Sequence, residues 1–548
     1  MTSKDLREKF LSFFEEKGHK IVSSSSLLPS DPSVLFTTAG MQQFKPYYLG
    51  EKSPYGKNVC SCQKCFRTSD VEEVGDESHL TFLEMLGNFS FGGYFKEEAI
   101  KLAYEFLFKE LKLSLEEAIF TVFKGDENVP EDKESIEIWK KLGVPENKIQ
   151  KKGKEDNFWG PTGEEGPCGP TTEIHLKGIE VWNLVFNEYY QDKDKKLTQL
   201  PQKGVDTGMG LERLAMIAEG GSSVFETDLF LPIINEIPGE NEKAKRIIAD
   251  HVKGSIFLIQ ESVLPSNVER GYVLRRILRR AIRYGKLLNL PKDFLIPLAQ
   301  RAIEVYKDVY PELKSNESDI LTVIQNEEEK FEKTLEDGLK QFEKGLDAFE
   351  LYTTYGFPLE LTIELAKEKG IKINIEEFNE KFKEHQKISR VGAEKKFVGG
   401  LADHSEKTIK YHTAAHLMLA VLRKVLGGEV YQKGSNITAE RLRFDFNYPQ
   451  KLNEEQIRKV EDLVNQKIKE DLPVACKEMS LEDAKKKGAM GVFEEKYGKI
   501  VKVYSIGDFS KEICGGPHVK RTSELGNFKI TKEESSGAGV RRIRAVLE

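Results

Sequence analysis

Val205–Arg213, VDTGMGLER, sets Asp206, Glu212, Gly208, Gly210 and Arg213 within nine residues, just ahead of the apolar run LAMIA. The glycines let backbone approach a ligand closely, and a helix opening at Leu211 aims Arg213 from its first turn. The spacing fits neither a G-x-x-x-x-G-K-[ST] phosphate loop nor a G-x-G-x-x-G dinucleotide turn. Alone, such a strand-to-helix turn is as readily structural as functional. Far along the chain, His412 and His416 stand four apart in YHTAAHLMLAVLRKVLG, on one helix face, and KEICGGPHVKRTSELG supplies Cys514 and His518 around a Gly-Gly-Pro turn. A lone H-x-x-x-H is commonly helix surface; joined to C-x-x-x-H it offers four ligands of the types tetrahedral Zn²⁺ takes. Cys60, Cys62 and Cys65, near His79, could also bind zinc, but one cluster without a second pair argues against it.

These residues need elements to position them. Leu6, Phe10, Phe13 and Phe14 recur at helical spacing between a Thr2 or Ser3 cap and Gly18, which predicts an N-terminal amphipathic helix rather than a signal peptide. Val34–Thr37 reads as a strand between Pro and Gly punctuation. Arg67 stands at the end of one strand, across an acidic turn from an aromatic-rich strand over His79–Phe91. An arginine there can bind an α-phosphate and stabilise charge that develops when a carboxylate attacks; Phe82, or another phenylalanine of that strand, could stack on adenine. Residues 241–384 turn helical and charged, with Phe331, Leu335, Leu339, Phe342, Leu346 and Phe349 as a core stripe. Residues 385–408, which include GGLADHSEK, read as a linker, and RLRFDF as a sheet strand.

The chain of 548 residues implies about three or four domains. No apolar run approaches the ~20 residues of a membrane span, and six scattered cysteines predict a reducing cytoplasm rather than a disulfide framework. A net charge of −7 would count against nucleic acid if it were uniform, but Arg270–Lys286, RGYVLRRILRRAIRYGK, carries seven positive residues and no acid. On a helix, Val273, Leu274, Ile277, Leu278, Ala281 and Ile282 share one face, while Arg275, Arg276, Arg279, Arg280 and Arg283 ring the other, a ridge fit for phosphates or a basic face paired with acids elsewhere.

PSVLFTTAGMQQFK, LTFLEMLGNFSFGGYFK, DNFWGPTGEEGPCGPTTEI, VWNLVFNEYY and VDTGMGLER, in this order, resemble the catalytic domain of the alanyl-tRNA synthetases, a class II aminoacyl-tRNA synthetase family. The resemblance implies an α+β multidomain chain: a class II antiparallel sheet with flanking helices over 1–240, an all-helical domain over 241–384 that reads the tRNA acceptor stem, the 385–408 linker, and an α+β zinc-binding editing domain over 409–548. It makes Arg67 and Arg213 the motif 2 and motif 3 arginines on ATP, with Mg²⁺ bridging phosphates, and sets Met85, Gly208 and Gly210 beside the adenylate. Trp159, Asn183, Val185 and Asp206 match the alanine pocket: Asp206 for the ammonium, Asn183 for the carboxylate, Trp159 and Val185 leaving room for a methyl group. Asn267 matches the asparagine that reads the G·U wobble pair of the alanine tRNA, beside Arg275, Arg276, Arg279 and Arg280. The chain departs from the family pattern in two places. The usual Gly-Gly-Lys loop after the motif 2 arginine is replaced by Thr68, Ser69 and Asp70, and Thr353 stands in LYTTYGFP where an aspartate is common, with Glu360 the nearby acid.

The same resemblance makes the His–Cys set part of an editing site for mischarged seryl- and glycyl-tRNA, lined also by Gln432. A pocket sized for alanine cannot exclude glycine, and one hydroxyl changes binding too little, so a hydrolytic second sieve is expected. Four protein ligands suit a closed structural zinc as well as one that positions substrate or water. The roughly 27 residues before His412 are too few for the β-barrel that relatives insert, and a C-terminal dimerisation domain is not expected, which predicts a monomer. The competing readings are a deacylase with an inactive synthetase half, or a non-catalytic tRNA-binding paralogue.

Overall fold

The computed structural model describes residues 1–31, 33–383, 405–489, 500–537 and 539–548. Contacts divide the chain into two compact units, 1–345 with 355–357, and 346–354 with 358–548.

In the first unit helix α1 (Ser3–Glu16) starts at a Thr2–Asp5 capping box and is followed by Gly18 at φ +84°. Leu6, Phe10 and Phe14 are fully buried, and Phe10 packs on Trp182. The sheet contains β1 (Lys20–Ile21), β2 (Asn58–Phe66), β3 (Phe82–Phe91), β4 (Ala118–Phe123), β5 (Ile149–Lys152), β6 (Phe158–Trp159), β7 (Gly166–Leu176), β8 (Ile179–Gln191) and β9 (Leu197–Gly210). Their order is β1-β2-β3-β9-β8-β7-β4-β5, with β6 paired to β7. Only β1/β2 and β4/β5 run parallel among the described pairs, so the sheet is the antiparallel one expected. Val34–Thr37 is not a strand: Thr37 bonds singly to Leu27 and Phe66 across the end of β2, which satisfies its backbone without a ladder.

Beyond the sheet come α2 (Leu211–Glu219), α3 (Glu242–Gln260), α4 (Glu269–Leu287), α5 (Leu295–Tyr306) and α6 (Glu317–Glu343). The region after residue 240 packs directly on the sheet, so the first unit continues to Gly345. Phe82 of β3 stacks on Phe257 of α3 at 3.8 Å between ring centroids, and Asp250 accepts from both the Thr81 backbone and hydroxyl. Lys253, fully buried, pairs with Glu212 at 2.7 Å and lies over the Phe230 ring. Polar residues paired inside the core, rather than on a solvated face, make this region read as a separate charged domain in the sequence.

In the second unit α7 (Glu406–Leu426) and α8 (Glu454–Lys469) cover one face of a sheet ordered β10 (Gln432–Ile437), β11 (Leu442–Asn447), β16 (Val540–Leu547), β15 (Phe528–Gly537). Leu417, Leu422, Phe444, Phe446, Val460 and Ile543, each fully buried, form the core between them. A second sheet is β12 (Val474–Ser480), β13 (Ile500–Ile506), β14 (Ser510–Ile513). Most of the expected linker, 385–404, lies outside the described residues; α7 begins at Glu406 behind a Ser405 cap.

Candidate active sites

Strand register assembles the first site. Thr171, Val185 and Asp206 pair in one row across β7, β8 and β9; two residues along, Glu173, Asn183 and Gly208 make the next row. Both rows line a cavity of about 420 Å³, within the usual range of ligand pockets. Met85 reaches it from β3, opposite Gly210, and the close approach explains Gly208: a Cβ there would lie 2.9 Å from Met85 Sδ. Trp159 closes one side from β6. Arg67, one residue past β2, and Arg213, in the first turn of α2, line the walls. Arg67 Nε donates to Thr38 O at 3.2 Å, and Arg213 Nη1 donates to Glu180 O at 3.0 Å, which leaves guanidinium N–H groups of both for a ligand.

Asp206 is the electrostatic centre. Burial without a cationic partner pushes its carboxyl up to about 7. Asn183 Nδ2 donates to Glu173 Oε1 at 3.0 Å, while Asn183 Oδ1 is buried without a partner. Glu173, His79, Glu180 and Glu212, which also line the cavity, are additions to the residues expected. Glu173 shares a strand face with Thr171 and His175, a period-two pattern readable in TTEIH. Phe82 is corrected: its ring is fully buried against Phe257, because strand alternation turns Leu83 and Met85, not Phe82, into the cavity. The same alternation sets Cys62 and Cys65 on opposite faces of β2, Cys62 next to Glu84.

The second site lies wholly within the second unit. The ligand-type atoms of His412, His416, Cys514 and His518 all fall within 4.8 Å of one another. Each histidine has its Nδ1 engaged: His412 with Pro517 O at 3.1 Å, His416 with Glu512 Oε2 at 2.5 Å, His518 with Thr413 Oγ1 at 3.3 Å. Tying down Nδ1 orients Nε2 as a ligand. His518 Nε2 is buried without a partner, and Cys514 Sγ lies 3.4 Å from His412 Nε2. Burial opposes ionisation of the Cys514 thiol, but the contact with His412 Nε2 and the imidazoles of His416 and His518 around it overcome it and hold the group down to about 3, a thiolate. Burial likewise opposes the His416 cation, yet Glu512 raises it to about 10, while burial lowers His518 to about 4. A thiolate and three convergent imidazoles fit a metal ion. Glu512, which steers His416, lies within KEICGGPH, but nothing there points to its partner. Gln432 opens β10 and donates to Ser435 Oγ; among the described contacts none joins it to the cluster.

The arginine helix is only partly a ridge. Asn267 is exposed and bonded to Arg275, and Arg276 pairs with Glu72. Arg279, by contrast, pairs with Glu327 at 2.7 Å against the Phe331 ring, and Arg280 is buried, donating to Val71 O and contacting His251. These two hold α4 against α6, α3 and the loop after β2, so the expectation of a phosphate-facing role for them is corrected. Thr353 turns its hydroxyl onto Phe349 O at 2.7 Å.

An antiparallel sheet whose last strand turns through glycines into a helix carrying Arg213 over the cavity, with Arg67 facing it, is the architecture of a class II aminoacyl-tRNA synthetase. The family described as tRNA synthetases class II (A) matches residues 5–439, and the Threonyl and Alanyl tRNA synthetase second additional domain matches 501–544. The chain is 51% identical over 595 aligned residues to a protein of Treponema denticola named alanine–tRNA ligase, covering 100% of this chain and 99% of that one. It is 48% identical to the namesake of Treponema pallidum, covering 99% and 98%, and 41% identical to that of Thermotoga maritima, covering 100% of this chain and 80% of the relative. The chain belongs to the alanyl-tRNA synthetase family. Among the described residues no helix is long and apolar enough to cross a membrane.

Proposed function

We propose that the chain ligates L-alanine to its tRNA and hydrolyses wrongly charged products at a second site. The observation that carries the first half is the pair of cross-strand rows that brings Val185, Asp206 and Asn183 into one cavity walled by Arg67 and Arg213. Asp206 receives the ammonium of alanine; the second N–H of Asn183 Nδ2 is directed to the substrate carboxylate, and Trp159 with Val185 limits the side chain to a methyl group. ATP enters with Mg²⁺, which spreads phosphate charge. A carboxylate oxygen of alanine attacks the α-phosphorus, the bond to the β-phosphate oxygen breaks, and pyrophosphate leaves as Arg67 and Arg213 neutralise the developing charge. The ribose hydroxyl of the tRNA end then displaces AMP. Asn267, beside Arg275 and Arg276, reads the G·U wobble pair of the acceptor stem.

For the second half, His412, His416, Cys514 and His518 would hold Zn²⁺, and Gln432 would line the approach to it. Zinc supplies Lewis-acid polarisation or substrate positioning, while Glu512 and Pro517 fix the imidazoles and Cys514 stays a thiolate. The protein works as a monomer in the cytoplasm. Alanine-dependent exchange between ATP and pyrophosphate, together with hydrolysis of Ser-tRNA lost on Cys514→Ala, tests both halves. Exchange without deacylation removes the editing reading; deacylation without exchange favours the hydrolase alone; neither leaves a binding paralogue.

A further inference from the structure

The outer face of the C-terminal sheet is cationic and plays no part in the sites above. Register lines up Asn436, Arg443, Arg544 and Lys532 in one row across β10, β11, β16 and β15, with Gly434, Asp445, Arg542 and Glu534 in the next. The alternate residues Phe444, Phe446, Ile543 and Ala545 are fully buried, so these rows face away from the core. Asp445 is held by Arg542 through two bonds of 2.7 and 2.8 Å, and Glu534 is shared by Arg544 at 2.8 Å and Lys532 at 2.6 Å. Both carboxylates are thereby engaged. Arg443 reaches Asp445 only at 4.0 Å and its Nε is buried without a partner; Arg441 Nη1 is in the same state, with one long bond from its other nitrogen to Asn436. Like charges directly opposite on neighbouring strands, as Arg443 and Arg544 are, weaken a sheet unless an anion lies over them.

We infer that this arginine ladder is a docking surface for the sugar–phosphate backbone of the RNA whose charged end the His–Cys cluster of the same unit hydrolyses; this rests on the deacylase reading. Four cations of the two rows, Arg443, Arg542, Arg544 and Lys532, with Arg441 beside them on Asn436, outnumber the two carboxylates, Asp445 and Glu534. Guanidinium forks fixed on a rigid sheet match phosphate oxygens in a way a flexible ammonium does not. An acidic protein would be drawn to the same charge, but the proposed substrate of this unit is itself RNA.

The test uses the full chain with Arg441→Gln and Arg443→Gln together, and Arg443→Lys separately. Hydrolysis of Ser-tRNA is followed across a salt series. The double variant is expected to raise KM about tenfold with kcat unchanged, and to lower the slope of log kcat/KM against log salt by about 1 to 2, the loss of one or two phosphate contacts. Arg443→Lys should keep the slope. Alanine-dependent exchange without tRNA and the bound zinc should match the unsubstituted chain. Unchanged KM and slope in folded, metal-loaded protein would overturn the inference, as would a fall in kcat alone, which would make these arginines structural. If the unsubstituted chain hydrolyses no Ser-tRNA, it is the deacylase reading that fails. The salt slope for binding uncharged tRNA then tests the surface by itself, and an unaltered slope in the double variant rejects it. A slope unchanged with RNA but lowered with an acidic peptide would likewise assign the surface to protein.

Discussion

Asp206→Asn separates binding from stability, because the same burial that makes Asp206 useful makes it costly. Its folded-state value of about 7 stands well above the ordinary 3.8. With the folded value raised, stability is unaffected below about pH 3.8, where both states are protonated. It falls as pH rises, while the unfolded carboxyl ionises and the folded one does not, and the loss is complete above about pH 7. A gap of about 3 units corresponds to about 4 kcal/mol. Asparagine has no charge to desolvate, so the variant should unfold at higher denaturant than the parent at pH 8, with the difference vanishing toward pH 4. Activity should move the other way. A buried carboxylate lost from an ammonium partner costs about 3–5 kcal/mol, or roughly 10²–10³-fold or more in kcat/KM for alanine. In the parent, kcat/KM for alanine should fall as pH drops below 7, since only the carboxylate holds the ammonium. Pyrophosphate exchange from pH 6 to 8.5 and urea melts read both effects. A variant within threefold of the parent for alanine, or less stable at pH 8, would refute the role given to Asp206.

Other substitutions separate scaffold from site. Glu512→Gln should weaken zinc binding about 10–100-fold by freeing His416, read by chelator competition, with exchange of ATP and pyrophosphate unaffected. Lys253→Met leaves Glu212 buried without its cation and should cost about 3–5 kcal/mol in urea melts; a loss under 1 kcal/mol would contradict the pairing. Arg280→Gln should lower the melting temperature, whereas Arg275→Gln should leave it unchanged and weaken RNA binding, as a salt titration of each will show.

Local spacing makes some elements plain in the sequence. The capped first helix, the glycine turn into Arg213 and the His–His and Cys–His pairs each carry their own periodicity or turn chemistry, and each stands where that chemistry puts it. Tertiary partners decide the rest. Phe82 and Met85 belong to one strand, and only the packing of α3 reveals which side faces the cavity. Arg279 and Arg280 look like a ridge until Glu327 and His251 arrive from other helices. Glu173 and Glu512 sit inside recognisable stretches, TTEI and KEICGGPH, but their partners do not: strand pairing brings Asn183 to Glu173, and the packing of α7 on β14 brings His416 to Glu512.

Charging of an acceptor-stem minihelix with alanine, its G·U pair kept or changed to G·C, tests the central claim most directly. Alanine transferred to the G·U stem alone, and lost with Asn267→Ala, is the predicted result. Equal charging of both stems, or alanine-dependent exchange with no transfer to either, would contradict the ligase and stem-reading account.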